Sequence, residues 1–432
     1  MKLLIGPGWV TNGTDVFVEQ GGVLVENGRI VAVGRFEDLQ DPHADRIETD
    51  GHLILPGFLV AHHHLYSALA PGISPLGPTP NFRKILENLW WPLDQALDAE
   101  TVYASALHGL MDALRHGVTM VFDHHASMGF IEGSLDQVAR AFQETGLRGL
   151  LAFEVSDRAG HATLETQIRE NLSFWQQHQG NPQIQGIFGL HANFTLSEET
   201  LYAVRDALPQ GMGIHIHCGE DREDLDYVLN LGYEGLVDRL HRFDLLQAPS
   251  LLAHCIHLTD RDYELLRRLD TAIVVSNPES NANNQVGQMD RSRIRTYLLG
   301  TDGMSGDMVA TLRSHYLLGR GKDEDFAELQ RAFFGYRYEV QQRFFPDKAP
   351  PLHPGSRADL TVLEYQPVTP LRPDNLLGHL LFGARTARAL LTMVDGQVRY
   401  YRGSFPSLDE PRARELIQTA AQKLWERYYG QP

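Results

Sequence analysis

Histidine residues recur at the ends of short apolar segments of this sequence. The stretch GFLVAHHHLYS, residues 57–67, places His62, His63 and His64 directly after an apolar run, and His217 and His254 end two later segments of the same kind. A single buried histidine is more often a hydrogen-bonded core residue than a metal ligand. Histidines placed at random, however, would not end five of eight such segments, so the pattern indicates a site.

Strand geometry separates the three adjacent histidines. Successive side chains on a strand point to opposite faces, so His62 and His64 share one direction and His63 takes the other. Two imidazoles on one face of a strand can bind a single metal ion. We therefore expect His62 and His64 to bind metal and His63 to face the helices or the rim. The same alternation pairs His215 with His217, which lies nearer to the end of its segment.

The residue types and spacing predict a metal site formed by His62, His64, His217 and Asp302. Three imidazoles and one carboxylate suit Zn²⁺, with Fe²⁺ as the alternative. One coordination position stays open for water, whose pKa a bound divalent ion lowers to about 7. Asp302 alone, in GTDG, would be a turn residue. Its place at the last strand end, opposite the histidine pair, favours a ligand instead.

Two further side chains can move protons next to this site. A hydrolase needs a base that takes the proton of the water and an acid that protonates the leaving group. Glu220 follows the segment HIHCGE on a turn, and His254 ends the next apolar segment. We predict Glu220 and His254 in these catalytic roles, with Asp302 assisting as a base.

The elements that must position these residues alternate between strand and helix. Eight apolar segments read as strands buried on both faces, and most of the stretches between them read as helices. We predict N-caps at Ser197 and Thr259. This pattern predicts an α/β fold, a (β/α)8 TIM barrel over residues 57–349, whose strand ends meet at one mouth. The unit between the seventh and eighth strands is weakly helical, and a doubly wound open sheet is the alternative.

The two ends of the chain read as parts of one small β domain. GGVLVENGRIVAVG and LLTMVDGQVRYYRG are hairpins with turns at Asn27-Gly28 and Asp395-Gly396. We expect a composite β-sandwich built from residues 1–56 and 350–406. Residues 407–432 read as a terminal helix that opens with a capping box from Ser407 to Glu410.

Composition excludes several classes of partner. The formal net charge is −17, which disfavours binding to nucleic acid and to anionic membrane surfaces. The chain has two cysteines, Cys218 and Cys255, and these do not form a disulfide framework. We expect a cytoplasmic protein that acts on a small molecule. Association into a homo-oligomer stays open.

The lysines bear on the number of metal ions. They stand at positions 2, 84, 322, 348 and 423, so none lies between residues 85 and 321. A two-metal version of this barrel commonly needs a bridging carboxylated lysine in mid-barrel. We therefore predict one divalent ion per chain, while a bridge by a glutamate or cysteine stays open.

Several motifs, in order, resemble a known family. GFLVAHHH, HCGE, AHC, SNPESN and GTDG follow ENGRIVAVG and DGHLILPG, and LHPGSRADLTVLE comes near the end. The chain resembles the amidohydrolase superfamily in its mononuclear branch of aminohydrolases, deaminases and chlorohydrolases, and in particular the SsnA-type aminohydrolases. The resemblance covers nearly the whole chain and implies the same ligand set and the same roles for Glu220 and His254.

The resemblance also implies His191, in GLHANFT, as a substrate contact. We add His125 and Trp91 as candidate substrate contacts; for each, a packing role is the alternative. Ser276 stands where the family usually has a histidine, and Asn193 stands where proline is common.

These observations predict a metal-dependent hydrolase of non-peptide C–N bonds. Metal-bound hydroxide would attack a cyclic amidine such as a purine, pyrimidine, pterin or triazine-like heterocycle and release ammonia or an amine. One alternative is hydrolysis of a cyclic amide or lactam. A second, of another class, is a protein that binds metal and ligand without turnover, which would not need Glu220 and His254.

Overall fold

The computed structural model describes residues 1–294, 296–319 and 326–430, in which strands and helices alternate through the middle of the chain. The strands are β1 Lys2–Thr11, β2 Phe17–Glu26, β3 Arg29–Arg35, β4 Asp45–Ile47, β5 Leu53–Pro56, β6 Phe58–His63, β7 Val118–His125, β8 Arg148–Phe153, β9 Ile184–Gly186, β10 Phe188–Ala192, β11 Ile214–Cys218, β12 Ser250–His254, β13 Ala272–Ser276, β14 Leu298–Leu299, β15 Leu360–Leu363, β16 Ala389–Val394 and β17 Gln397–Tyr401.

The helices follow the barrel strands, and a long one ends the described chain. They are α1 Phe82–Ile85, α2 Trp91–Gln95, α3 Ala99–Arg115, α4 Ser134–Thr145, α5 Leu164–Gln177, α6 Glu198–Ala207, α7 Arg222–Asn230, α8 Leu236–Arg242, α9 Asp260–Arg268, α10 Pro278–Asn283, α11 Met308–Leu318, α12 Phe326–Gln330, α13 Arg337–Phe344, α14 Leu376–Gly378 and α15 Glu410–Tyr429.

Two parallel sheets make up the barrel. One has the order β6-β7-β8-β9 and the other β10-β11-β12-β13-β14. Parallel bridges between Val155 and Leu190 and between His63 and Asp302 connect the sheets at their two edges. Because β9 and β10 are two pieces of one barrel strand, separated by Ile187, these nine segments form the eight strands of the barrel. The predicted TIM barrel, with its eight apolar segments as strands, is confirmed.

The barrel helices begin where the sequence provides caps. The Ser197 hydroxyl accepts a hydrogen bond from the Thr200 N–H at 3.2 Å and caps α6. Thr259 caps α9 in a reciprocal capping box with Asp262. Such caps satisfy N–H groups that the first helical turn leaves free. The unit between the seventh and eighth strands is the least regular, as expected, since its helix α10 has six residues and the strand β14 that follows has two.

Both chain ends contribute to one mixed sheet beside the barrel. Its order is β17-β16-β15-β5-β1-β2-β3, with β4 paired to β1. The predicted hairpin turns join β2 to β3 and β16 to β17. Asn27 and Gly28 have φ of 50° and 80°, as a tight two-residue turn requires. The composite β domain is therefore present, and the boundaries at 56, 349 and 406 remain our proposal.

A buried arginine joins the underside of the barrel to this β domain. Arg148 begins β8, and its side chain is fully buried. Its guanidinium donates to the carboxylate of Asp359 and, at 2.7 Å, to that of Asp395. Both aspartates lie in the later half of the chain, beside β15 and at the β16–β17 turn. The ion pairs thus hold the two parts of the molecule in one arrangement.

The last helix, α15, packs along the segment that follows β6. The Trp425 indole N–H donates to the carbonyl of Leu69 at 3.0 Å, and Lys423 pairs with Glu100 at 2.7 Å. The predicted capping box from Ser407 to Glu410 is wrong, because the helix starts two residues later than that motif needs and Asp409 caps it instead. None of the helices among the described residues is long and apolar enough to cross a bilayer.

Candidate metal centre and active site

Four side chains converge at the mouth of the barrel, and we call them the ligand cluster: His62, His64, His217 and Asp302. One ligand atom from each lies within 4.8 Å of the others. The His64 Nε2 atom is 3.0 Å from His217 Nε2 and 2.8 Å from Asp302 Oδ1. The buried His62 Nε2 atom has no hydrogen-bond partner in the described part of the chain and lies 3.3 Å from Asp302 Oδ1. Three imidazole nitrogens and a carboxylate this close fit a divalent ion.

The turn after β14 brings Asp302 to the cluster. The N–H groups of Thr301 and Asp302 both donate to the His62 carbonyl at 3.0 Å. Asp302 has φ of 55°, a left-handed conformation that costs energy for a residue with a side chain. Gly300 is required because an added Cβ would lie 2.4 Å from the Asn277 Oδ1 atom. The backbone is thus bent to aim one carboxylate at three histidines.

The charge state of Asp302 suits a ligand. Burial alone would raise its pKa, but the imidazoles of His64 and His62 hold the pKa well below the ordinary value. The Ser280 hydroxyl donates to the second carboxylate oxygen, Oδ2. Asp302 therefore stays anionic with its Oδ1 atom turned to the histidines.

Glu220 and His254 lie side by side next to the cluster. The His254 Nε2 atom is 3.5 Å from Glu220 Oε2. The His254 Nδ1–H donates to Asn281 Oδ1 at 2.7 Å, which turns Nε2 toward Glu220. Asn284 donates to Glu220 Oε1 at 3.1 Å. Burial raises the pKa of Glu220 to about 6, although His254 opposes the shift. Such a carboxyl can both accept and donate a proton near neutral pH.

The short helix α10 and its end organise both the cluster and the proton carriers. Ser280 binds Asp302, Asn281 binds His254 and Asn284 binds Glu220. All three belong to SNPESNANN, residues 276–284, whose first part carried the family resemblance. Their roles in holding the site were not predicted from the sequence. Ser276 itself is buried beside His315, with its Oγ atom 3.5 Å from His315 Nδ1.

Two further histidines of the barrel, His63 and His124, point in different directions. His63 turns away from the cluster, and its Nδ1 atom lies 2.8 Å from Thr301 Oγ1. His124 faces the barrel interior, where Nε2 donates to the carbonyls of Leu190 and His215 at 3.0 and 3.1 Å.

His125, predicted to contact substrate, does not line the cavity. Pleat alternation turns its fully buried ring outward to the Ser127 hydroxyl at 2.9 Å. The structure therefore places the His125 ring beside Ser127 and away from the cavity.

A cavity of about 230 Å³ opens above the ligand cluster. Its lining combines an aromatic side with carboxylates, one arginine and the site histidines. The residues are His64, Tyr66, Ser67, Phe82, Leu86, Trp90, Trp91, Asp94, Glu154, Arg158, His191, Ala192, Phe194, His217, Glu220, Asp221, Asp224, Ser280, Asn283, Asn284, Asp302, Gly303 and Met304.

We call five of these residues the cavity wall: Trp91, Asp94, Glu154, Arg158 and His191. The Arg158 guanidinium donates to Asp94 Oδ2 and, at 2.7 Å, to Glu154 Oε1, and it lies 5.6 Å from the Trp91 ring centre. Burial raises the pKa of Asp94 to about 6 and that of Glu154 to about 7, although Arg158 opposes both shifts. The predicted substrate residues Trp91 and His191 thus line the cavity.

Asp94 and Arg158 were missed at the sequence level. Their pairing joins positions 64 residues apart, so the sequence gives no local sign of it. Glu154 and Arg158 are four residues apart, but the segment between them is not an α-helix, so this spacing gave no signal of their ion pair. His191 is held by Thr195, whose hydroxyl lies 2.7 Å from His191 Nδ1, and its Nε2 atom is 4.0 Å from Glu154.

Two known proteins are similar to this chain over most of its length. The chain is 27% identical over 412 residues to a 5-methylthioadenosine/S-adenosylhomocysteine deaminase of Thermococcus sibiricus, covering 92% of this chain and 94% of the relative. It is 28% identical over 422 residues to a 5′-deoxyadenosine deaminase of Methanothermobacter thermautotrophicus, covering 94% and 95%.

A solved structure shares the fold. An adenosine deaminase from Xanthomonas campestris with bound zinc superimposes with a TM-score of 0.83 at 22% identity, covering 98% of each chain.

Family models match both parts of the molecule. Residues 21–41 match an imidazolonepropionase-like composite domain, within the sheet built from the chain ends. Residues 53–399 match the amidohydrolase family, most of the chain. The prediction of an enzyme that hydrolyses carbon–nitrogen bonds is confirmed, and the chain belongs to the amidohydrolase family.

Proposed function

We propose that this protein removes an amino group from a cyclic amidine carbon with one divalent ion, Zn²⁺ before Fe²⁺, held by His62, His64, His217 and Asp302. One observation carries the proposal: the Glu220–His254 pair, 3.5 Å apart, lies directly beside the ligand cluster. A site that only stored metal would not need two proton carriers there. When bound, the ion supplies the Lewis acid that makes water nucleophilic near neutral pH.

The proton carriers divide the work of the reaction. The carbon gains oxygen from water and loses its amino group, so one proton of water ends on the ring nitrogen and the other on the departing amine. Glu220 delivers the proton to the ring nitrogen. His254 and Asp302 orient the water and take its proton, and the departing amine receives one from the same groups. Asn281 and Asn284 keep both carriers in place.

The charge of the cavity supports a substrate without a phosphate or carboxylate. Among the described residues of the lining, Arg158 is the basic side chain other than histidine, and Asp94 and Glu154 already neutralise it. Glu220 and Asp224 add acidic groups. An anionic substituent would meet no free cation on this wall.

The aromatic side and the free polar atoms of the cavity support a planar ring with a polar substituent. Trp90, Phe82 and Phe194 supply apolar surface next to Trp91. Trp91, Asp94 and Arg158 line the cavity, and Asp94 Oδ1, Arg158 Nε and Trp91 Nε1 have no hydrogen-bond partner among the described residues. A substrate that reaches these atoms would find one acceptor and two donors. Together with the two relatives named above, this favours 6-aminopurine nucleosides as the first compounds to test.

An ammonia-release screen with metal analysis of the same sample tests the proposal. The set contains 5′-substituted adenosines, free purines, pterins, pyrimidines, triazines and hydantoins. We expect ammonia from an uncharged aminoheterocycle, one metal ion per chain, and no ammonia from Glu220→Gln protein. Ring opening of a hydantoin without ammonia would instead establish cyclic amide hydrolysis. Two metal ions per chain would contradict the one-metal proposal.

A further inference from the structure

Each histidine of the ligand cluster uses its second ring nitrogen in a hydrogen bond. The His64 Nδ1 atom lies 2.6 Å from the His124 carbonyl, and His217 Nδ1 lies 2.9 Å from the His191 carbonyl. The His62 Nδ1 atom instead lies 2.8 Å from the Nε2 atom of His215. Two of the three acceptors are therefore backbone atoms that no substitution removes, and the third is a side chain.

Metal binding fixes the direction of the His62–His215 hydrogen bond. A neutral imidazole that offers the Nε2 lone pair to a metal carries its proton on Nδ1. His62 Nδ1–H must then donate, and His215 Nε2 must accept. The proton of His215 is left on its Nδ1 atom, which is buried and has no hydrogen-bond partner among the residues that the structure describes. The protein thus keeps an imidazole with one unsatisfied nitrogen beneath the ligand cluster.

Packing leaves His215 little room to turn. It is fully buried on β11, and its ring centre lies 4.9 Å from that of His62 and 4.8 Å from that of His124. The His215 carbonyl also accepts a hydrogen bond from His124 Nε2 at 3.1 Å. A buried polar atom without a partner costs stability, so a role in folding alone does not account for an imidazole here.

We propose that His215 is a positioning residue for the metal site: it accepts the His62 Nδ1–H bond and so sets the tautomer and ring plane of that ligand. Hydrogen-bond partners of metal-bound histidines orient the ring and raise its basicity, and their loss typically weakens metal binding about 10- to 100-fold. The proposal rests on the proposed metal site and assigns His215 no contact with substrate.

Replacement by glutamine or asparagine separates positioning from bulk. The amide oxygen of His215→Gln extends about as far as the imidazole Nε2 atom and can accept from His62, whereas that of His215→Asn matches Nδ1 and falls short. The control is His125→Asn, which changes a fully buried histidine of the same barrel that bonds only to Ser127 among the side chains of the described residues.

Three readouts are measured on each purified variant. The Zn²⁺ dissociation constant is determined by competition with a chromogenic chelator, the ligand geometry by visible absorption of the Co²⁺-substituted protein, and the fold by the Tm of the metal-free protein. We expect His215→Asn to weaken Zn²⁺ binding about 10- to 100-fold and to alter the Co²⁺ spectrum. His215→Gln should stay within about threefold of the parent, and His125→Asn should bind like the parent.

Two results would overturn the inference. One is parental Zn²⁺ affinity in His215→Asn; the other is equal weakening in the glutamine and asparagine variants, which would indicate packing. A fall in the Tm of the metal-free variants in proportion to their loss of Zn²⁺ affinity would also indicate packing. If the parent protein itself binds no Zn²⁺ or Co²⁺, the proposed metal site falls and this inference falls with it. Failure of the ammonia screen alone leaves these affinities, and the conclusion from them, unchanged.

Discussion

The ligand cluster and the cavity wall are built in different ways. Each ligand lies at or just after the end of a barrel strand, where the pleat decides the direction of the side chain. The wall has a mixed origin: His191 lies on β10 and Glu154 directly follows β8, whereas Trp91, Asp94 and Arg158 come from segments between strands. An arginine held by two carboxylates keeps it together. Strand ends give positions that spacing can reveal, whereas the part of the wall between strands depends on pairs that only the folded chain forms. Substitutions in the two regions should therefore fail in different ways.

The largest effect is expected in the ligand cluster. His62→Ala removes an imidazole from the proposed coordination set, so we expect loss of bound metal and a fall in kcat/KM of about 1,000-fold or more. His63→Ala is the control because His63 bonds to Thr301 and turns away. Metal analysis and steady-state kinetics measure both proteins. Equal metal loss in the two would show that the pleat does not separate these neighbours.

The proton carriers should lower the rate without loss of metal. We expect His254→Ala to keep its metal and to lower kcat/KM about 100- to 10,000-fold, the usual contribution of a general acid or base. The measurement is kcat/KM together with metal content of the same preparation. A value within a few-fold of the parent would remove His254 from the mechanism.

The cavity wall should control which substrates bind. Glu154→Gln leaves Arg158 with a single carboxylate, so the wall gains positive character while the ligand cluster keeps its metal. We expect the ratio of kcat/KM for an anionic substrate analogue to kcat/KM for a neutral one to rise about tenfold. The interaction energy between two partly buried charges corresponds to a factor of about this size in binding.

Asp94→Asn serves as the matched variant for Glu154→Gln. This substitution neutralises the other partner of Arg158, so the preference for the anionic analogue over the neutral one should shift in the same direction. An unchanged preference in both variants, with metal retained, would mean that Arg158 does not face the substrate.

The smallest effect on turnover is expected at Asp123, which lies on β7 below the mouth. Its Oδ1 atom accepts the Leu65 N–H at 2.8 Å, and Oδ2 is buried with no partner in residues 1–294, 296–319 and 326–430. Burial raises the pKa of Asp123 to about 7, above the value of about 4 of an unfolded chain. The folded state thus holds a proton that the unfolded state loses, and stability falls as pH rises from about 4 to about 7.

Asp123→Asn resembles the protonated carboxyl and should lack this pH dependence. The difference in the free energy of unfolding between variant and parent should grow in favour of the variant across that window, by up to about 4 kcal/mol above pH 7. Denaturant unfolding at pH 4.5, 6 and 8 measures it. A constant difference would show that Asp123 is ionised throughout.

The barrel and the ligand set could be predicted from the sequence because both depend on short-range regularity. Apolar runs that alternate with capped helices predicted the eight barrel strands. The two-residue period of side-chain direction along a strand showed that His62 and His63 point to opposite faces. The same period could not show that His125, predicted as a substrate contact, turns outward, since it fixes relative and not absolute direction. The register of β7 against its neighbours turns His124 inward.

The wall and the supports of the ligands could not be predicted in the same way. The contact between Asp94 and Arg158 joins a helix after the first barrel strand to a turn after the third barrel strand. The hydrogen bond between His62 and His215 crosses 153 residues of chain. No local pattern encodes either pair, so the sequence offered Trp91 as a candidate substrate contact but not the side chains that it would meet in the cavity.

The buried ion pairs of Arg148 limit how this protein can be divided. A fragment ending at residue 349 would retain the arginine beneath the barrel but would lack Asp359 and Asp395. Loss of both carboxylates leaves the guanidinium without its charged partners and removes the part of the β domain that meets the barrel at this point. Residues 57–349, although they hold every proposed ligand, should therefore express poorly as a minimal enzyme, and a fusion or truncation should keep the chain through β17.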